Sequence, residues 1–380
     1  MIVARFLEWV ETAPVERRAE AIHLLGRAWL YSDMLPSEAE AAEAAMTVML
    51  DDPSVRVRMA LADALCRDPR APNLIILSLA QDQMDVAEIV LRASPVLYDE
   101  DLIDIAATTS TRGQIAIASR PWIAAPLAAA LAEIGSSECC LALCENYGAE
   151  MTDTIHRRIA DRFGTDAAIR DAICDRHDCP IDVRQTLVGK ISEALGGLAL
   201  INGTLSHGHL ETVMREARDK ATLALAVSVT EDDMIALTDH LRKSGQLTPS
   251  LLLRALCTGN IRLFVQALIV LSGLPPKRVY SILADCRGQP FRALLDRAGL
   301  PRTTWEAFSV GIDILEQLEQ DGYGGDIYRF SRQMLVRLPG FDLDMSDDEV
   351  RKLFALLRRF AADNARQAVR SMDMQPLLAA

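Results

Sequence analysis

The densest group of donor side chains is Cys174-Asp-Arg-His177-Asp-Cys179. Thiolate and imidazole are donors that zinc accepts. The segment runs into Pro180, and a tetrahedral set would need a fourth ligand from far away, with Cys139, Cys140 and Cys144 the nearest supply. The pattern predicts packed thiols beside a turn histidine rather than a metal centre. His207-Gly-His209 offers imidazoles for a transition metal or a general base, within a glycine-rich segment that reads as a solvated loop. Asp321 to Asp326 places two carboxylates among glycines. It lacks the alternating ligands and the glutamate at the twelfth position of a calcium loop. The phosphate-binding glycine loops, the paired-histidine zinc helix and the serine elbow are all absent. No catalytic residue and no cofactor is expected.

Two segments offer surfaces rather than chemistry. Arg292-Ala-Leu-Leu-Asp-Arg-Ala-Gly299-Leu-Pro-Arg302-Thr-Thr-Trp305 has the spacing of a DNA-binding helix-turn-helix. Few of its residues are basic, and ordinary helix punctuation explains the turn, with Trp305 and Phe308 as core. The other segment starts at Ser346, where Ser346 and Glu349 form a capping box. Val350, Leu353, Phe354, Leu357, Phe360 and Ala361 then make one apolar stripe, beside a basic face that includes Arg351, Arg358, Arg359 and Arg366. The stripe predicts a helix from Ser346 to about Met372 that docks on the protein body.

Nearly continuous helical periodicity must position all of these residues. No four-to-eight residue run alternates cleanly between turn signals, so strands are not expected. Pro36-Ser37 opens a helix to about Leu50, and Asp52-Pro53 reads as a cap and first turn. Val55, Met59, Ala62 and Leu65 recur at helical spacing. The most apolar stretch, Trp122 to Ile134, is too short to span a membrane and predicts a buried helix.

Short helices between turns predict stacked pairs that bury one continuous core. The unit Asp52-Pro-Ser-Val55-Arg56 has a partial copy at Asp182-Val183-Arg184, 128 residues on, which divides into four units of 32. With its preceding acidic turn this unit resembles the HEAT repeat. The resemblance implies that the Val-Arg helix is the second of each pair and lines a concave face. The groove set would then be Arg56, Asp63, Arg67 and Arg184, with Arg56 also placed to pair with the acid of the adjacent turn. The glycines from Gly196 to Gly208 predict a boundary or bend.

Beyond them, Gly273-Leu-Pro275 and Gly299-Leu-Pro301 are identical helix stops. In each, glycine takes the left-handed position and proline opens the next helix. The run from Leu247 to about Glu319, with the Val-Arg segment upstream, resembles an alphaproteobacterial family known as domain of unknown function 2336. That resemblance covers most of the chain and implies no activity. The expected organisation is a HEAT-like α-solenoid over residues 1–195, a second all-helical domain over 196–320, and a glycine hinge with the basic helix over 321–380.

Charge narrows the function classes. The 380 residues carry 40 basic against 53 acidic side chains, a net charge of −13. Phosphate binding favours the opposite sign, which disfavours nucleic acid. The start of the chain has no signal-peptide pattern, because Glu8 and Glu11 interrupt its apolar residues. Eight scattered cysteines in a chain with a sizeable core fit reduced thiols in the cytoplasm. The expected function is a non-enzymatic protein-interaction or regulatory scaffold, whose partner is another protein and which self-association would also suit. The alternatives are a nucleic-acid-binding array similar to the helical-repeat glycosylases, or a repeat-built enzyme similar to the HEAT-type lyases.

Overall fold

The computed structural model describes residues 2–201, 207–284, 286, 288–323, 326–337, 355, 357–359, 361–362 and 365–366. Among them lie 21 α-helices and one 3-10 turn. The only bridge between extended segments among the described residues is an isolated parallel one, Ile123 to Ala149. No described helix is long and apolar enough to cross a membrane. The chain divides into two compact units, Met1–Leu187 and Val188–Ala380.

The first unit contains α1 (Ile2–Thr12), α2 (Val15–Tyr31), α3 (Pro36–Val48), α4 (Val55–Leu65), α5 (Asn73–Ala80) and α6 (Met84–Ala93). It continues with α7 (Asp99–Thr108), α8 (Thr111–Ala118), α9 (Ala125–Ile134), α10 (Ser137–Glu145), α11 (Asp153–Phe163) and α12 (Ala167–Asp175). Even-numbered helices from α2 to α12 each pack on the next even one, and α7, α9 and α11 do the same in a second layer. One continuous apolar core, from Ala19 to Leu187, is shared by the layers. This is the expected all-α helical-repeat architecture: from α6 onward each helix of the unit finds an apolar neighbour two helices away. Backbone approach is closest where side chains are small. A Cβ on Gly26 of α2 would sit 3.0 Å from the Ala64 Cβ of α4.

Several local expectations are corrected. The second helices of the pairs begin at Val55, Met84, Thr111, Ser137 and Ala167, so the units are 29, 27, 26 and 30 residues long, not 32. Val183-Arg184 opens the odd-numbered helix α13 (Ile181–Ile201), so the two Val-Arg pairs occupy different places in the repeat. Asp52 does not cap α4, whose N-cap is Ser54. Its carboxylate instead accepts the Ser54 N–H at 2.8 Å and two bonds from Arg18. Trp122 is exposed and precedes α9, while Ile123 takes the buried place. The glycine-rich segment is helical through Gly196 and Gly197 to Ile201, and α14 (His207–Val227) follows.

The second unit continues with α15 (Glu231–Lys243), α16 (Pro249–Cys257), α17 (Ile261–Ser272), α18 (Pro276–Leu283), α19 (Gln289–Arg297), α20 (Arg302–Gln320) and α21 (Ile327–Arg337). Every residue from Leu251 to Cys257 is buried, because α16 is surrounded by α14, α17, α20 and α21. Gly273 and Gly299 take left-handed φ of 66° and 71°, as their Gly-Leu-Pro context requires.

Candidate functional site

The chemistry of the first unit is dominated by arginines that join neighbouring repeats. Arg120 donates to Leu91 O at 2.7 Å and Ser94 O at 2.6 Å, closing the C-terminal end of α6. Arg162 does the same for α9 through Ala132 O and Gly135 O. Arg176, only 2% exposed, donates to Cys144 O, Asn146 O and Ala149 O, and holds Asp178 with two further bonds. Arg58 clamps Asp82 bidentately and reaches Asp52 O. A helix leaves its last carbonyls unpaired, and a guanidinium fork satisfies two of them at once. These side chains are structural cations.

The expected groove residues behave differently. Arg56 and Asp63 share the exposed face of α4. Arg56 pairs with Glu16 of α2 at 3.2 Å, and His23 lies 3.5 Å from Asp63. The acid of the preceding turn, Asp52, belongs to Arg18 instead of Arg56. Arg67 is exposed in the turn after α4. Arg184 is separate from this group and donates to Arg176 O at 3.0 Å.

All eight cysteines are free, and only Cys174 is exposed. Burial pushes Cys139 and Cys144 up to about 12 and Cys140 and Cys179 up to about 11. Thiols so far above neutral are poor nucleophiles. His177 is exposed. Among the described residues, no group of three or more His, Cys, Asp or Glu side chains is placed to hold a metal ion. With Ellman's reagent at pH 8, the native chain is expected to titrate one thiol, lost in Cys174→Ser. The other seven should react only after unfolding. Two or more fast thiols in the native chain contradict this packing.

No motif in the sequence marks His156. It is fully buried, with Nδ1 3.0 Å from Thr152 O and Nε2 3.5 Å from Asp178 Oδ1. Burial holds its pKa below the usual 6.5, against the opposing pull of the Thr152 carbonyl and Asp178. The unfolded chain takes up that proton first as pH falls. His156 therefore contributes stability above about pH 6.5 that is lost on acidification. Asp219 of α14 has the opposite sign. Burial raises it to about 6, although Arg254 lies 3.8 Å away and pulls it down. Its contribution is present at low pH and fades as pH rises through 6. Urea denaturation at pH 5 and pH 7 should show His156→Gln losing the acid-side decline and Asp219→Asn losing the opposing trend. Wild-type slopes in both variants contradict these assignments.

In the second unit, Cys286, Phe291, Trp305, Val310, Asp313 and Val336 line a cleft of about 640 Å³. The Cys286 thiol donates to Asp313 Oδ1 at 2.9 Å and stays protonated, its pKa pushed up to about 12 by burial and that hydrogen bond. Arg292 at the rim pairs with Glu306 at 3.1 Å, and Arg337 with Gln317. The cleft's thiol is therefore not an activated nucleophile.

The helix-turn-helix segment is α19, Gly299 and α20. Phe308 of α20 is fully buried against Phe264, ring centroids 5.5 Å apart. After Arg302 the charged residues of α20 are Glu306, Asp313, Glu316 and Glu319, all acidic. Of the basic terminal segment, Leu357 is buried, and exposed Arg359 pairs with Glu216 at 2.6 Å. Arg358 and Arg366 are exposed. Ser346, Glu349, Val350, Arg351, Leu353, Phe354 and Phe360 lie outside the described residues.

Charge is partitioned sharply between the units. Residues 1–187 hold 30 carboxylate side chains against 17 arginines and no lysine, a net charge of −13. Residues 188–380 hold 23 of each sign. The first unit also exposes Tyr98, Trp122 and Tyr147 on its inter-repeat connectors. Their near-regular spacing of 24 and 25 residues is a signal the sequence carries openly.

A family model described as an uncharacterised protein conserved in bacteria (DUF2336) matches residues 86–340. No curated protein and no solved structure matches the chain.

Proposed function

This chain belongs to the bacterial family of uncharacterised proteins DUF2336, and from that premise we propose that it is a non-enzymatic protein-interaction or regulatory scaffold whose helical-repeat unit receives a basic partner protein. The observation that carries this reading is the segregation of charge. The whole net charge of −13 belongs to residues 1–187. Several arginines of that unit are already committed to its own carboxylates and carbonyls. Such a surface steers a cationic protein toward it and repels polyanions. The high pKa values of the buried thiols support a binding role over a catalytic one. Eight free thiols support the cytoplasm as its compartment.

Affinity capture with the full chain, followed by reconstitution from purified components, tests this. The expected result is a stoichiometric complex with a basic protein that weakens steeply between low and high salt. Capture of nucleic acid, or of no stoichiometric partner, overturns it.

A matching expectation holds for DNA. At ~150 mM salt, random duplex DNA should bind more weakly than the usual non-specific range of about 10⁻⁴–10⁻⁶ M. The net charge and the acidic course of α20 are the reasons. Fluorescence anisotropy decides it, and micromolar affinity with a steep salt slope would favour the nucleic-acid reading.

A further inference from the structure

We propose that the edge of the first unit formed by the connectors after α6, α8 and α10 is a docking line for an extended, arginine- or lysine-rich segment of a partner protein. Tyr98, Trp122 and Tyr147 would hold its cations, with Glu100, Glu145 and Glu150 beside them. This deepens the scaffold reading and rests on it.

The three rings are 68%, 60% and 67% exposed. They occupy equivalent places, each on the connector leading from an even helix to the next odd one. Hydrogen bonds stitch these connectors side by side. Arg120 reaches back to Leu91 O and Ser94 O of the connector region that carries Tyr98. The Asn146 amide donates to Ala118 O and Arg120 O, Ile123 N donates to Gly148 O, and Glu150 N donates to Ile123 O. The connectors that carry the rings are therefore adjacent rungs of one edge. Neighbouring packed helices lie ~8–10 Å apart. That step matches about three residues of an extended chain at ~3.3 Å each.

Charge selects the occupant. Between Ser94 and Ile155 the chain has nine acidic residues and two arginines. Arg112 is taken by Asp85 and Glu88, and Arg120 by backbone carbonyls. Glu100, Glu145 and Glu150 are exposed on or beside the connectors. Aromatic faces and carboxylates together attract cations, guanidinium above all. Tyr147 already has the Arg176 guanidinium 5.6 Å from its ring centroid, and its exposure leaves ring surface for a second.

The probe is a fluorescein-labelled (Arg-Gly-Ser)₄ peptide, with (Glu-Gly-Ser)₄ as control, titrated by anisotropy into the full-length chain. The arginine peptide should bind and the acidic one should not. Each exposed cation–π contact is worth a factor of about two to five. The triple variant Tyr98→Ala/Trp122→Ala/Tyr147→Ala should therefore bind about tenfold more weakly or worse, at an unchanged melting temperature. Glu100→Gln/Glu145→Gln/Glu150→Gln should weaken binding and flatten its salt dependence. Binding that survives the triple alanine change removes the docking line and leaves the scaffold reading standing. A wild type that ignores the arginine peptide yet binds its captured partner removes the basic segment as occupant. A wild-type dimer that the triple variant converts to monomer assigns the edge to a second copy of the chain and overturns the proposal.

Discussion

Arg176→Met is expected to destabilise the first unit by about 3–5 kcal/mol, because it takes the donors from buried carbonyls at ~1–3 kcal/mol each and removes the partner of the part-exposed Asp178. The guanidinium fills a place that a thioether cannot. It satisfies three carbonyls, of Cys144, Asn146 and Ala149, and it neutralises Asp178. Methionine matches part of the volume but leaves the Cys144 and Ala149 oxygens without this donor, Asn146 O with the Ala149 N–H alone, and Asp178 without its cation. For a unit of this size, the loss lowers the melting temperature by roughly 10 °C. Arg158→Met is the control. Its pair with Glu133 is exposed on both sides, so its loss should leave the melting temperature close to that of the wild type. Calorimetric or circular-dichroism melts of the three full-length chains decide the matter. Equal, small effects in both variants would show that the carbonyl contacts of Arg176 contribute little.

Phe308→Ala should destabilise the second unit by about 3–5 kcal/mol, the range for removing a buried aromatic side chain. The ring is fully buried and packs on Phe264. Its helix, α20, lies against α16, α19 and α21, so a cavity there is walled on several sides and cannot collapse easily. Arg302→Ala, exposed at the start of the same helix, should leave stability within about 0.5 kcal/mol of wild type. Melts separate the core role of α20 from a recognition role. A recognition helix would show itself through Arg302→Ala lowering DNA affinity at an unchanged melting temperature.

Some of the candidate surface is legible in the sequence. Arg56, Asp63 and Arg67 do lie exposed on or just after α4, as one face of an amphipathic helix requires. Arg184 does not follow them, because it opens a helix in the other register of the repeat and turns to the Arg176 carbonyl. The metal-like group at 174–179 shows the same limit. Cys174 and His177 face solvent while Cys179 is buried, although six positions of sequence cover all three.

Residues three or four apart interact locally, and local rules suffice for the helical class, the proline start at Pro36 and the Gly-Leu-Pro stops with left-handed Gly273 and Gly299. Which charges are free is a different matter, settled by contacts between repeats. Arg120 finds its carbonyls 26 and 29 residues upstream, Arg162 finds them 27 and 30 upstream, and Arg58 finds Asp82 24 residues downstream. Such partners meet only when repeats stack. A guanidinium that looks solvated on its own helix thus becomes the cap of another, and the net negative charge and the exposed rings are what remain on the surface.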